Sequence, residues 1–227
     1  MAGSRDSDDS GPFAKPVEGE TPSGGLPTLR RKAVECRACP LWRDATQTVF
    51  GEGSSRARVM LIGEQPGDKE DLAGAPFVGP AGRLLRAALE QSGLSPRDVY
   101  LTNTVKHFKF VRRGKVRLHQ RANAAEQAAC RPWLAAEFQR IRPQLVVALG
   151  AMAAHTVFGR GFSLTAQRGQ WHALPAGIPG MATWHPSAIL RKRGRERELA
   201  HRELEADLRG VADALADAEP PRQDDGD

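Results

Sequence analysis

The chain has little cysteine and no long apolar run. Three cysteines in 227 residues cannot make a closed disulfide framework, so the thiols direct attention to metal binding instead. No stretch approaches the roughly 18 uninterrupted apolar residues of a membrane helix. The N-terminus also lacks a basic segment followed by an apolar one. A soluble protein of the cytoplasm without membrane attachment is the expectation. No internal repeat is visible, and the length suits one domain of ordinary size with tails.

Acidic residues are scarce in the middle of the chain. Lys and Arg number 33 against 27 Asp and Glu, a net charge of +6. The first twenty and last ten residues hold nine of the acids and three of the bases, leaving 30 bases and 18 acids, or +12, for the remainder. That balance favours phosphate-bearing partners, although alone it gives only non-specific attraction. Composition also marks boundaries. Residues 1–26 are rich in Ser, Gly, Pro and acids, and cannot bury enough apolar surface to offset ordering entropy. They are expected to be a disordered tail, with one domain over 27–216 and a disordered acidic tail over 217–227.

Within that domain, residues 58–62, 99–103, 145–149 and 181–184 read as strands. The first and third are continuous apolar runs, as strands covered on both faces are. Helical patterns fall between and after them, over 81–92, 122–140, a segment after Gly150, and 196–215. The last is amphipathic through Leu199, Leu204, Leu208, Val211 and Leu215. Alternating strands and helices predict an α/β fold of three layers, α/β/α, around a mainly parallel four-stranded sheet.

The most informative stretch is 63–85, which follows the apolar run Val59-Met60-Leu61-Ile62. It reads as a restricted loop rich in Gly and Pro, leading into a helix. Glu64, Gln65, Asp68, Glu70 and Asp71 gather at the carboxyl end of the preceding strand, where open α/β sheets bind ligands. Phe77 is the loop's one aromatic residue, suited to a planar polar ring. Asn103 ends the second strand, and its amide offers the paired donor and acceptor needed to read a nucleobase edge. His185, in Trp184-His185-Pro186-Ser187, follows the fourth strand and can donate a hydrogen bond to a developing anion.

Residues 106–121 fit neither helix nor strand by pattern. Seven of these sixteen are cations: Lys106, Lys109, Arg112, Arg113, Lys115, Arg117 and Arg121. With Phe108 and Phe110 interleaved, the segment suits a nucleic-acid strand, cations meeting phosphates and rings meeting bases. Spacing alone leaves His119 open between a phosphate contact, a catalytic group and a surface histidine. Cys36 and Cys39, together with His107 and Cys130, could supply four ligands to a zinc ion or an iron–sulfur cluster.

Taken in order, Cys36-x-x-Cys39-Pro40, Gly63-Glu64-Gln65-Pro66-Gly67, Pro76-Phe77-Val78-Gly79, Asn103 followed by Val105-Lys106, Cys130 and His185-Pro186-Ser187 resemble the uracil-DNA glycosylase superfamily. The likeness is to its iron–sulfur branch, over roughly residues 30–215. Within that branch, Gln65, His107 and a basic loop ending in histidine resemble the UdgX class more than family 4. Here that loop is Lys115-Val116-Arg117-Leu118-His119, similar to the Lys-Arg-Arg-Ile-His signature of UdgX but with Val116 for its first arginine.

The resemblance implies a monomer that excises uracil from DNA, preferably single-stranded, in the bacterial cytoplasm and at the nucleoid. His119 would then bond covalently to the deoxyribose. It also implies a 4Fe-4S cluster on Cys36, Cys39, His107 and Cys130. Glu64, His119 and His185 would be catalytic, and Gln65, Asp68, Phe77 and Asn103 would bind the base or shape its loop. Lys109, Lys115 and Arg117 would contact DNA. Two other readings are a family 4 hydrolase that turns over and a non-catalytic, metal-containing nucleic-acid-binding module.

Overall fold

In a computed structural model, residues 21–218 are described. Residues 1–20 and 219–227, most of the two expected tails, lie outside them. The described chain runs α1 (Leu26–Val34), β1 (Glu52–Gly53), β2 (Val59–Gly63), α2 (Asp68–Ala73), α3 (Pro80–Gln91) and β3 (Val99–Asn103). A hairpin follows, β4 (Phe110–Arg113) and β5 (Val116–His119), then α4 (Ala124–Ile141), β6 (Leu145–Leu149), α5 (Ala151–Phe158) and α6 (Leu164–Gln167). The chain closes with β7 (Trp171–Ala173), β8 (Pro179–Thr183), α7 (Pro186–Arg191) and α8 (Gly194–Asp217). No described helix is long and apolar enough to cross a membrane.

The central sheet has the order β1-β3-β2-β6-β8-β7. Its four inner strands are parallel, as expected, and β1 and β7 add short antiparallel edges. Successive side chains of a strand point to opposite faces, and β2 shows the result. Val59 and Leu61 pack with Leu85 and Leu89 of α3 and with Leu204, Leu208 and Val211 of α8. Met60 and Ile62 pack on the other face with Leu134 of α4 and with Ala153, Ala154 and Val157 of α5. Both faces are covered, which is why the run is apolar without alternation.

Four local expectations are corrected. The sheet has six strands, because edges of two and three residues are too short to leave a pattern. Residues 106–121 hold a β-hairpin, with Phe110 opposite His119 and Val111 opposite Leu118. The polar loop after β2 contains a helix, α2, whose first turn carries Asp68, Glu70 and Asp71, acids that suit the positive end of a helix dipole. Leu199, expected on the buried stripe of α8, is 52% exposed.

Candidate active site

The site is built at the carboxyl ends of the inner strands. Gly63 and Asn103 are register partners at the ends of β2 and β3, and Asn103 is buried. A β-carbon on Gly63 would collide with Asn103 Oδ1 and lie 2.7 Å from Phe77 Cζ. Glycine is therefore what lets the amide and the ring flank one narrow slot. Phe77 sits there with φ 55°, a left-handed conformation that costs about 1–2 kcal/mol in a residue with a side chain. It is sustained by close packing, since a β-carbon on Gly82 would overlap the Phe77 carbonyl.

Asn103 is held from behind. Lys106 Nζ donates to the Asn103 carbonyl and to Glu137 Oε2, both at 2.6 Å, and to Thr102 Oγ1 at 2.7 Å. Glu137 also accepts from Tyr100, Thr102 and the Gly51 amide. Lys106 and Glu137 are 1% and 0% exposed, so Lys106 is a buried brace and not part of the cationic surface expected of it.

On the other side of the slot stands His185, its ring centroid 6.4 Å from that of Phe77. It caps α7, and its Nδ1 accepts the Ser187 backbone N–H at 3.1 Å and lies 2.8 Å from the Ser187 hydroxyl. Burial, with Arg191 and His119 adding to it, pushes the imidazole down to about 4. His185 is thus neutral at ordinary pH.

The hairpin brings in His119. Gln65 Nε2 donates to the carbonyls of Lys109 and Gln120, at 3.2 and 3.0 Å, clasping both ends of the hairpin. Arg117 Nε donates to Asp68 and its Nη1 to Asp71, both at 2.6 Å, which ties β5 to α2. The same guanidinium lies over the rings of Phe108 and Phe110, and the Phe108 ring lies 6.1 Å from that of His119. Partial burial and Arg191 push the His119 imidazole below its ordinary value, while the Glu64 carboxylate pulls it up. Glu64 and Arg191 thus lie close enough for their charges to act on His119, and Arg191 and His119 for theirs to act on His185. Among the described residues neither ring nitrogen of His119 has a hydrogen-bond partner.

A second centre lies behind the hairpin. Cys36 and Cys39 pack on the apolar cluster that includes Cys130, Phe50, Val105 and Trp133. Trp133 Nε1 donates to Cys36 Sγ and the Lys106 backbone N–H to Cys130 Sγ, each at 3.2 Å. Burial raises the Cys39 thiol and pushes Cys130 up to about 12. His107 Nε2 faces the Thr48 hydroxyl at 2.9 Å, and burial lowers its imidazole. Among the described residues no three His, Cys, Asp or Glu side chains converge as a single ion requires.

Glu64, Phe77, Asn103, His119 and His185 therefore meet at one end of the sheet. Gln65 clasps the hairpin, a loop-shaping place that its expected role includes, and Asp68 holds it too, through Arg117, the residue expected to contact DNA. Lys109 is paired with Glu126 at 2.8 Å, while Lys115 is exposed near the hairpin tip. Sequence reasoning did not single out Arg191 or Glu137. Arg191 could have been found from its place one helical turn beyond Ser187, whose hydroxyl lies 3.4 Å from its Nη1. Glu137 carried no local signal.

Comparison with known proteins gives the family. The profile of the uracil DNA glycosylase superfamily matches residues 50–209. The chain is 39% identical over 169 residues to the type-4 uracil-DNA glycosylase of Thermotoga maritima, covering 74% of this chain and 84% of that one. It is 35% identical over 199 residues to the type-4 enzyme of Saccharolobus solfataricus, covering 84% and 87%. It is 27% identical over 207 residues to a type-5 uracil-DNA glycosylase of Pyrobaculum aerophilum, covering 77% and 88%. The chain belongs to the uracil DNA glycosylase superfamily.

Proposed function

We propose that the protein excises uracil from DNA, with single strands preferred, and then holds the sugar covalently through His119, as the resemblance to the UdgX class implies. One observation carries the reading. The hairpin presents a histidine with unengaged ring nitrogens beside Glu64 and His185, at the end of the sheet where Asn103 and Phe77 flank Gly63.

The target nucleotide swings out of its stack, because its glycosidic bond is otherwise out of reach. Phe77 stacks on the uracil ring and the Asn103 amide pairs with its polar edge. Cytosine presents the reverse donor and acceptor there and leaves the buried amide unpaired. As the bond from C1′ to the base breaks, its electron pair leaves with uracil. The free Nε2–H of His185 donates to the growing oxyanion, assistance worth on the order of 3 kcal/mol per donor. A lone pair of the neutral His119 ring then bonds to the cationic C1′. Glu64 stabilises the imidazolium that results and accepts its proton.

Cys36, Cys39, Cys130 and His107 would hold a 4Fe-4S cluster in the cysteine pocket. The indole and backbone N–H donors to sulfur suit such a centre, and a cluster spreads its ligands more widely than a single ion does. Cleavage of an N-glycoside is not a redox step, so the group would be structural, anchoring the base of the hairpin through Cys130.

Mixing the protein with a short single-stranded DNA bearing one uracil, followed by a denaturing gel, tests the reading. The expected result is a slow band that resists heat and detergent and is lost in His119→Ala. Free DNA with an abasic site would mean the turnover reaction of family 4, and untouched uracil a binding module. A brown colour would distinguish iron–sulfur from zinc.

A further inference from the structure

The two faces of the β4–β5 hairpin differ in kind. Residues directly opposite in an antiparallel pair share a face. Phe110 with His119 and Arg112 with Arg117 form the face turned to the site, and Val111 with Leu118 and Arg113 with Val116 form the outer one. The inner face is docked on α2 through Arg117. The outer face has no such cover, leaving Val111 48%, Val116 58% and Leu118 39% exposed. These are three of the seven large apolar side chains left most exposed among the described residues, so the exposure is concentrated on one small element.

We propose that this outer face docks the unpaired bases that flank the target uracil, and so favours single strands over duplex. The inference rests on the reading of the protein as a uracil-excising enzyme. Charge selects the occupant. Residues 109–121 contain no acid, and among the described residues no acid lies within ion-pair distance of Arg113, Lys115 or Arg121. An aliphatic face ringed by unpaired cations suits a chain of phosphates carrying flat apolar rings. Position selects the same occupant. Leu118 is the chain neighbour of His119 on the opposite face of β5, so a strand held at C1′ that passes round β5 meets the outer face. In a duplex the faces of the flanking bases are already stacked, whereas in a single strand they are free to bury apolar surface against Val111, Val116 and Leu118.

Val111→Thr/Val116→Thr tests this, because threonine keeps the shape and strand preference of valine while removing its apolar surface. Two single-stranded DNAs are used, one with ordinary bases beside the uracil and one with abasic spacers there, in single-turnover excision by the whole chain. With ordinary neighbours the double variant should need about ten-fold more DNA for half-saturation, the effect of two methyl groups lost from an apolar contact, at an unchanged plateau rate. With spacers it should match the wild type, which should itself bind about ten-fold more weakly than to the first DNA. Equal loss on both DNAs, or none on either, would overturn the inference. So would a change in oligomeric state without a change in half-saturation, which would assign the face to a second copy. Wild type leaving uracil untouched in both DNAs would instead overturn the functional reading itself.

Discussion

Ser187 holds His185 Nδ1 with its backbone N–H at 3.1 Å, and a backbone amide can only donate. Nδ1 is therefore the acceptor, and the neutral ring carries its hydrogen on Nε2. The contact sets both the tautomer and the direction of the ring's free Nε2–H. It also opposes protonation, because an imidazolium would have no lone pair left for Ser187.

A pH dependence follows from the burial of the same ring, to which Arg191 and His119 add. His185 is held down from the ordinary 6.5 to about 4, so the unfolded chain binds its proton more readily than the folded one does. The resulting stability is complete above about pH 6.5 and is lost as pH falls towards 4, with a slope of up to about 1.4 kcal/mol per pH unit. His119 is shifted in the same direction and steepens the fall. Urea denaturation at pH 7.5, 6 and 5 should show decreasing stability, with a shallower decline in His185→Asn. Identical pH slopes for the two proteins would refute the assignment.

The slot predicts the effect of one methyl group. Gly63→Ala would place a β-carbon against Asn103 Oδ1 and 2.7 Å from Phe77 Cζ, pushing apart the two groups that read the base. Overpacking costs about 2 kcal/mol, while displacement of the reading groups by about 1 Å should slow uracil excision on the order of 100-fold. Binding to single-stranded DNA without uracil should be unchanged. Wild-type excision kinetics in this variant would show that the base does not sit over Gly63.

The inner strands were legible because burial on both faces leaves runs such as residues 59–62 and 145–149 with no polar position. The hairpin was not, because its usual pattern is inverted. Arg112 and Arg117 lie on the inner face with Phe110 and His119, while Val111, Val116 and Leu118 face solvent. Lys106 stands among cations in the sequence, but its partner Glu137 lies 31 positions further on. Arg117 finds Asp68 and Asp71 at separations of 49 and 46. Pairings over such distances leave no periodic trace. Asn103 and His185 were readable because a strand end places its residues at the ligand-binding edge whatever the distant contacts are.

The pair Lys106–Glu137 offers a test of whether a buried charge network positions a reading group or only supports the fold. Both side chains are essentially inaccessible, and removing one partner from a buried pair costs about 3–5 kcal/mol because the other remains charged and desolvated. Glu137 keeps three other donors, so Lys106→Met should cost about 3 kcal/mol, the lower end of that range. Lys106→Met/Glu137→Gln removes the stranded charge and should recover most of that loss in a denaturant titration. Neither variant restores the donor that holds the Asn103 carbonyl at 2.6 Å. If that contact orients the amide, uracil excision should be about ten-fold slower in both proteins despite their different stabilities, since a net hydrogen bond to a charged group is worth about 1.5 kcal/mol. Recovery of rate together with stability in the double variant would mean that the pair is structural alone. A slow but stable double variant would make Lys106 a positioning residue, acting on the base through the backbone of Asn103.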